Sequence, residues 1–189
     1  MESSMEPSDT ELMLRVREGE VGELAVLFHR HSQRLFSYFL RLTGSREASE
    51  DLVQEVFVRI LKYRRRFQAR GSGFLPWVFR MAHNVGMDHF RRRRPAADAD
   101  QEVSEMAADD HSPEERLQDR ESLRLLERAL RQIPLTGREA LVLARFHGKK
   151  YTEIAEILGC SVGAVKLRVH RGMLQLRESV RRLEKEAAS

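Results

Sequence analysis

Lys166, Arg168, His170 and Arg171 crowd one short stretch near the C-terminal end of this 189-residue chain. Guanidinium and ammonium groups donate to guanine edges or to phosphates, an imidazole does either more weakly, and Leu167 between them can touch a thymine methyl. The stretch belongs to YTEIAEILGCSVGAVKLRVHRGMLQL (151–176), two apolar-periodic segments parted by Gly159-Cys160-Ser161. A short helix, a tight turn and a basic second helix make the pattern of a helix-turn-helix, whose second helix enters the DNA major groove. Val162, Val165, Val169, Met173 and Leu176 recur at steps of three and four and are expected to face inward. Gly163, Lys166, Leu167, His170 and Arg171 then face outward, while Arg168 and Lys149 or Lys150 are better placed for phosphates.

A second set lies in FLPWVFRMAHNVGMDHFRRRR (74–94). With Val78, Met81, Ala82 and Val85 as the inner row of a helix, the outward rows carry Trp77, Arg80, His83, Asn84, Met87 and Arg91. Aromatic, amide and basic groups interleaved on one helix suit single-stranded nucleic acid, where bases stack and phosphates pair with arginine; Trp77 and Phe79 also fit a core. A third set is an acidic and polar strip, Asp51, Gln54 and Glu55, with Val58 as its apolar member. Asp51 and Glu55 repel at i,i+4 and Glu55 with Arg59 recovers a similar few tenths of a kcal/mol, so helix stability does not explain the strip. It reads either as a solvated face or as a contact surface.

Metal and redox chemistry find little footing. No Cys and His residues show zinc-ligand spacing, and Asp51 and Glu55 lack a third carboxylate on their face, so neither a metal nor another cofactor is expected. Cys160 is the only cysteine, which excludes an internal disulfide and leaves either a packed small residue or a redox-responsive thiol. No stretch approaches the ~20 apolar residues of a membrane span and the N-terminus is acidic, so a cytoplasmic protein is expected.

The elements that position these sets are all helical. Net charge is +5 over residues 1–94, −8 over 95–121 and +7 over 122–189, which suggests two surfaces for a polyanion. Ser8 or Asp9 caps a first short helix; Leu24, Leu27, Phe28, Leu35, Phe39 and Leu42 give a second the 3.6 period. Gly44 stops that helix and Ser45 caps the next, which buries Ala48, Leu52, Val56, Ile60 and Tyr63 with Val53, Phe57 and Leu61 beside them. Glycines at 71 and 73 break the pattern, and Pro76 places the following helix start near Gly73 or Phe74. Residues 95–111 read as an acidic flexible linker. Ser112-Pro113 opens the C-terminal unit, Thr136 to Glu139 forms a capping box, Thr152 and Ser161 cap the last two helices, and Gly148 and Gly159 end those before them. The expectation is an all-α fold of two small helical domains, 1–94 and 112–189, the second a four-helix unit.

Three segments, EDLVQEVFVRIL (50–61), 74–94 and LTGREALVLARFHGKKYTEIAEILGCSVGAVKLRVHRGMLQLR (135–177), together resemble the two-domain extracytoplasmic-function sigma factors of bacteria. The resemblance implies a promoter-specificity subunit without enzymatic activity, whose partners are core RNA polymerase, promoter DNA as duplex and melted strand, and an anti-sigma factor. It implies residence at the nucleoid when polymerase is bound. Asp51, Gln54, Glu55 and Val58 would dock on polymerase. Arg70 in the Gly71 loop, Trp77, Arg80, His83, Asn84 and Arg91 would melt and read the minus-ten element. Lys166, Leu167, Arg168, His170 and Arg171 would read the minus-thirty-five element. Gly73 and Pro76 depart from the family pattern, which usually has a capping serine and a helix former there. The alternative is an autonomous regulator, because the C-terminal segment is also similar to the output domain of LuxR-type proteins; the all-helical first 94 residues argue against that.

Overall fold

The computed structural model describes residues 6–69, 73–93 and 113–187. Among these residues every regular element is helical: α1 (Asp9–Glu18), α2 (Glu23–Thr43), α3 (Arg46–Tyr63) with a 3-10 turn (Arg64–Arg66), α4 (Phe74–Arg93), α5 (Pro113–Arg131), α6 (Leu135–Arg145), α7 (Tyr151–Leu158) and α8 (Val162–Ala187). Arg70, the Gly71 loop, the 95–111 linker and the Ser112 cap lie outside the described residues.

Local chemistry sets most of the helix ends. Ser8 Oγ accepts the Glu11 N–H while the Glu11 carboxylate accepts from Ser8 N–H, a reciprocal cap on α1. Ser45 Oγ accepts the Ala48 N–H and Ser161 Oγ the Ala164 N–H, so both serines cap as expected. Gly44 and Gly159 end their helices with φ of 70° and 61°, whereas α6 is capped by Phe146 in the right-handed region, two residues before Gly148. Two expected caps are absent. Pro134 precedes α6 with no side-chain cap, so Thr136 and Glu139 form no box. The residue before α7 is Lys150, whose N–H is taken by Glu153, and Thr152 lies inside the helix.

α2 and α3 form a hairpin, and α1 and α4 close the N-terminal unit around Leu12, Leu35, Phe39, Val56, Ile60 and Val85. Asp9 ties α1 to α2 through Arg30 at 3.0 Å and His31 at 2.8 Å. Three residues expected inside are at the surface: Phe28 is 43% exposed, Leu61 37% and Val162 36%. Each stands at the edge of its apolar row, where the neighbouring helix no longer covers it. The 3.6 period locates the stripe but not how widely a partner overlaps it. Tyr38, outside the expected row, is fully buried.

In the C-terminal unit α8 lies against α6, α5 and α7, with Val165 and Val169 buried. α6 and α8 pack tightly at Gly172, where a Cβ would stand 3.1 Å from the Gly137 carbonyl oxygen. That oxygen is backbone and cannot swing aside. Gly172→Val is therefore expected to lower stability by about 2 kcal/mol or more through overpacking, read as a fall in thermal midpoint. Gly163→Ala on the same helix, which meets only the Ser161 hydroxyl at 3.8 Å, is expected to leave the midpoint unchanged or raised.

Candidate nucleic-acid interface

On α8, Lys166, Leu167, His170 and Arg171 stand exposed on one face. Arg168 differs: it is half-buried and its Nη1 donates to Cys160 Sγ at 3.5 Å, joining the helix to the turn before it. Cys160 itself packs partly buried against the core. The Ser161 cap and the left-handed Gly159 set the angle at which α8 leaves α7, and thereby aim the exposed row away from the unit.

α4 divides its predicted residues. Trp77, Arg80 and Asn84 share a groove of about 490 Å³ with Arg59, Tyr63 and Arg66 from α3 and the turn after it. Trp77 is half-buried, its ring against Phe67 at 5.2 Å and Phe74 at 6.3 Å. Tyr63 carries the Arg66 guanidinium over its ring at 5.1 Å. An aromatic floor with guanidinium and amide walls offers stacking and phosphate pairing together. Tyr63 and Arg66 were missed because Tyr63 falls on the inner period of α3, and only the proximity of α4 makes it a wall. Arg91, two turns beyond Asn84, is exposed and lies 3.6 Å from Asp88. Gly73, before α4, holds φ 79°. A serine there would be strained, so the entry to α4 is not that of an ordinary serine cap.

His83 faces elsewhere. Its Nδ1 lies 2.8 Å from Glu139 Oε1 on α6, the same oxygen that accepts the Tyr38 hydroxyl at 2.5 Å. Glu139 is 2% exposed. Around it, Arg138 donates to the Leu42 carbonyl at 2.5 Å, the Arg41 guanidinium sits 4.5 Å over the Phe146 ring, and Lys149 Nζ is 5.4 Å over Phe79. Lys149 is also paired with Glu153 at 3.3 Å. Burial, with Glu139 adjoining, pushes the Tyr38 hydroxyl well above its usual range and keeps it a donor. Burial, with Arg131 nearby, draws Arg138 down to about 10, so it stays charged at neutral pH.

His147 packs edge-on between Tyr38 and Phe79, and burial followed by the charges of Arg41, Arg34 and Lys149 lowers its pKa to about 4. Its folded value lies below the ordinary 6.5. The neutral ring therefore contributes stability that is full above pH 6.5 and is lost as pH falls toward 4. Thermal midpoints are expected to drop across that window. His147→Leu should reduce the slope above about pH 5, where Glu11 and Glu153, both held below 4.5, do not yet titrate, and leave the part that His31, also lowered by burial, contributes.

The acidic strip lies on α3. Asp51, Gln54 and Val58 are exposed, Val58 at 60%. Glu55 is half-buried and accepts from Arg59 Nε at 2.7 Å, while Arg59 Nη1 reaches Asp88 of α4 at 2.9 Å. Leu61, one turn beyond Val58, is also exposed, and the exposed Phe28 of α2 stands edge-on to Phe57 of α3 at 4.8 Å. Among the described residues no group of three His, Cys, Asp or Glu side chains could hold a metal, and no helix is long and apolar enough to cross a membrane.

Residues 27–96 match the model of Sigma-70 region 2, and residues 123–176 that of Sigma-70 region 4. The RNA polymerase sigma factor CarQ of Myxococcus xanthus is 35% identical over 181 residues, covering 93% of this chain and 99% of CarQ. The chain belongs to the extracytoplasmic-function sigma factors of the sigma-70 family. The ECF sigma factor SigE of Mycolicibacterium smegmatis is 31% identical over 97% of this chain and 74% of that protein. The sigma factor RpoE of Bartonella quintana, solved with the anti-sigma factor NepR, matches at TM-score 0.65 and 25% identity, over 83% of this chain and 96% of that one. The region 2 match takes in α2 to α4, with the strip and the groove, and the region 4 match takes in the exposed face of α8. This sigma factor is a promoter-specificity subunit for core RNA polymerase, not an enzyme. The autonomous-regulator reading is not favoured, because region 2 occupies the positions where such a regulator carries its sensing domain.

Proposed function

We propose that this sigma factor docks on polymerase through Asp51, Gln54 and Val58, with Phe28 and Leu61 as an apolar margin and Glu55 as the link to α4. The groove of Tyr63, Arg66, Trp77, Arg80 and Asn84, followed by Arg91, takes the unpaired strand of the minus-ten element. Lys166, Leu167, His170 and Arg171 read the minus-thirty-five duplex, and Arg168 braces the recognition helix. The observation that carries this reading is the convergence of an aromatic floor, three arginines and an amide in one groove beside the docking strip. Neither DNA surface has to bind strongly alone, since polymerase joins them and raises the effective concentration of each. The protein works in the cytoplasm, at the nucleoid when bound to polymerase, and an anti-sigma partner covers these same faces until released.

Run-off transcription with purified core polymerase on a set of genomic promoters, including the one upstream of its own gene, tests the reading. Discrete transcripts that require both core enzyme and this chain are expected. Specific duplex binding as a dimer, with no polymerase-dependent transcript, would overturn it.

A further inference from the structure

The exposed row of α8 is not uniformly basic. Successive helical residues turn by about 100°, which sets Gly163, Leu167 and His170 along the middle of that row, with Lys166 on one flank and Arg171 on the other. Leu167 is 47% exposed at this central place. It carries neither charge nor donor, so it pairs with no phosphate and no polar base edge. In the major groove the one alkyl group on any base pair is the thymine C5-methyl, whereas guanine presents N7 and O6 and cytosine its N4 amine. A G·C pair pressed against leucine would lose water from those groups without gaining a partner, which disfavours it.

The residue four before Leu167 makes room. Gly163 is exposed, and a Cβ built there would meet nothing nearer than Ser161 Oγ at 3.8 Å. Side chains on a helix lean toward its N-terminus, so Leu167 reaches over the turn that holds Gly163. The two make a shallow notch, with leucine as its wall and bare backbone as its floor. It lies in the N-terminal half of α8, the half that meets base edges in a helix-turn-helix. Leu174, 51% exposed, lies seven residues further along the same line, about 10 Å nearer the C-terminal end.

We propose that Leu167, with the notch at Gly163, makes this sigma factor select an A·T pair in the upstream element by covering the thymine methyl from the major groove. Lys166 and Arg171 anchor the helix on either side, and the leucine adds a discrimination that no cation supplies. The methyl contact rests on the reading of α8 as the upstream-element reader, and the experiment separates the two.

Core polymerase carrying the full chain is bound to a duplex of the strongest promoter found by run-off transcription. Each thymine of the upstream element, on either strand, is replaced in turn by deoxyuridine, which removes only the methyl. One such replacement is expected to weaken binding about fourfold, the contribution of one buried methyl group. Leu167→Ala should bring affinity for the thymine duplex down to the uracil level and abolish the difference between them, which ties the cost to this contact rather than to altered DNA stiffness. Leu174→Ala is the matched control and should keep the fourfold penalty. If no uracil replacement weakens binding, if the penalty survives Leu167→Ala, if Leu174→Ala abolishes it, or if the upstream element holds only G·C pairs, the methyl contact is overturned. Lys166→Ala and Arg171→Ala on the unmodified duplex report on the reading beneath it. If neither weakens binding, α8 does not face the upstream element and the leucine assignment falls with it. If they weaken binding and uracil does not, the face reads DNA but not through Leu167.

Discussion

With Asp51 and Gln54 both changed to alanine, core RNA polymerase is expected to stop co-purifying with this sigma factor, its affinity reduced ~100-fold or more. The estimate takes about 2 kcal/mol for a charge-assisted contact at Asp51 and about 1 kcal/mol for a neutral one at Gln54. Both side chains are exposed on α3, so the helix should lose no more than ~0.5 kcal/mol. An unchanged melting curve beside a lost complex would place the effect in docking. Normal co-purification would remove the docking assignment. Glu55→Ala is a poorer test, because it also releases Arg59 and disturbs the join between α3 and α4.

The second large effect belongs to α8. Arg171→Ala should reduce transcription from promoters that depend on the upstream element by about 5- to 150-fold, the ~1–3 kcal/mol of a bidentate arginine–guanine contact, while polymerase binding stays intact. Lys166→Ala, if it meets phosphate, should weaken upstream binding evenly across sequences and reduce its salt dependence. Loss of polymerase binding in the Arg171 variant would mean that this face of α8 has been assigned to the wrong partner.

Much of this architecture could be read from local chemistry. Ser8, Ser45 and Ser161 cap as expected because each bond joins residues three apart, within reach of any sequence pattern. Glu139 shows where such reading ends. Its spacing from Thr136 is that of a capping box, yet its partners are 101 and 56 residues away in sequence. No local pattern registers them. His83 illustrates the same limit from the other side: it stands outside the core of its own unit, as the periodicity of α4 implies, and is covered by the other unit. Phe28 and Leu61 reverse the case, since apolar residues on the edge of a stripe take their burial from how far a neighbouring helix overlaps. Half of the groove is legible in one helix. Trp77, Arg80 and Asn84 follow from one helix, whereas Arg59, Tyr63 and Arg66 join them only once α3 and α4 lie side by side.

Arg59 has a consequence for genetics. Its guanidinium holds Glu55 of the docking strip with one nitrogen and Asp88 of α4 with another, and its side chain also walls the groove. Position 59 is thus pleiotropic: any allele there perturbs both proposed surfaces together, and its phenotype belongs to neither alone. Suppressors of such an allele should be sought on both helices, at positions 55 and 88, rather than in polymerase or in the promoter.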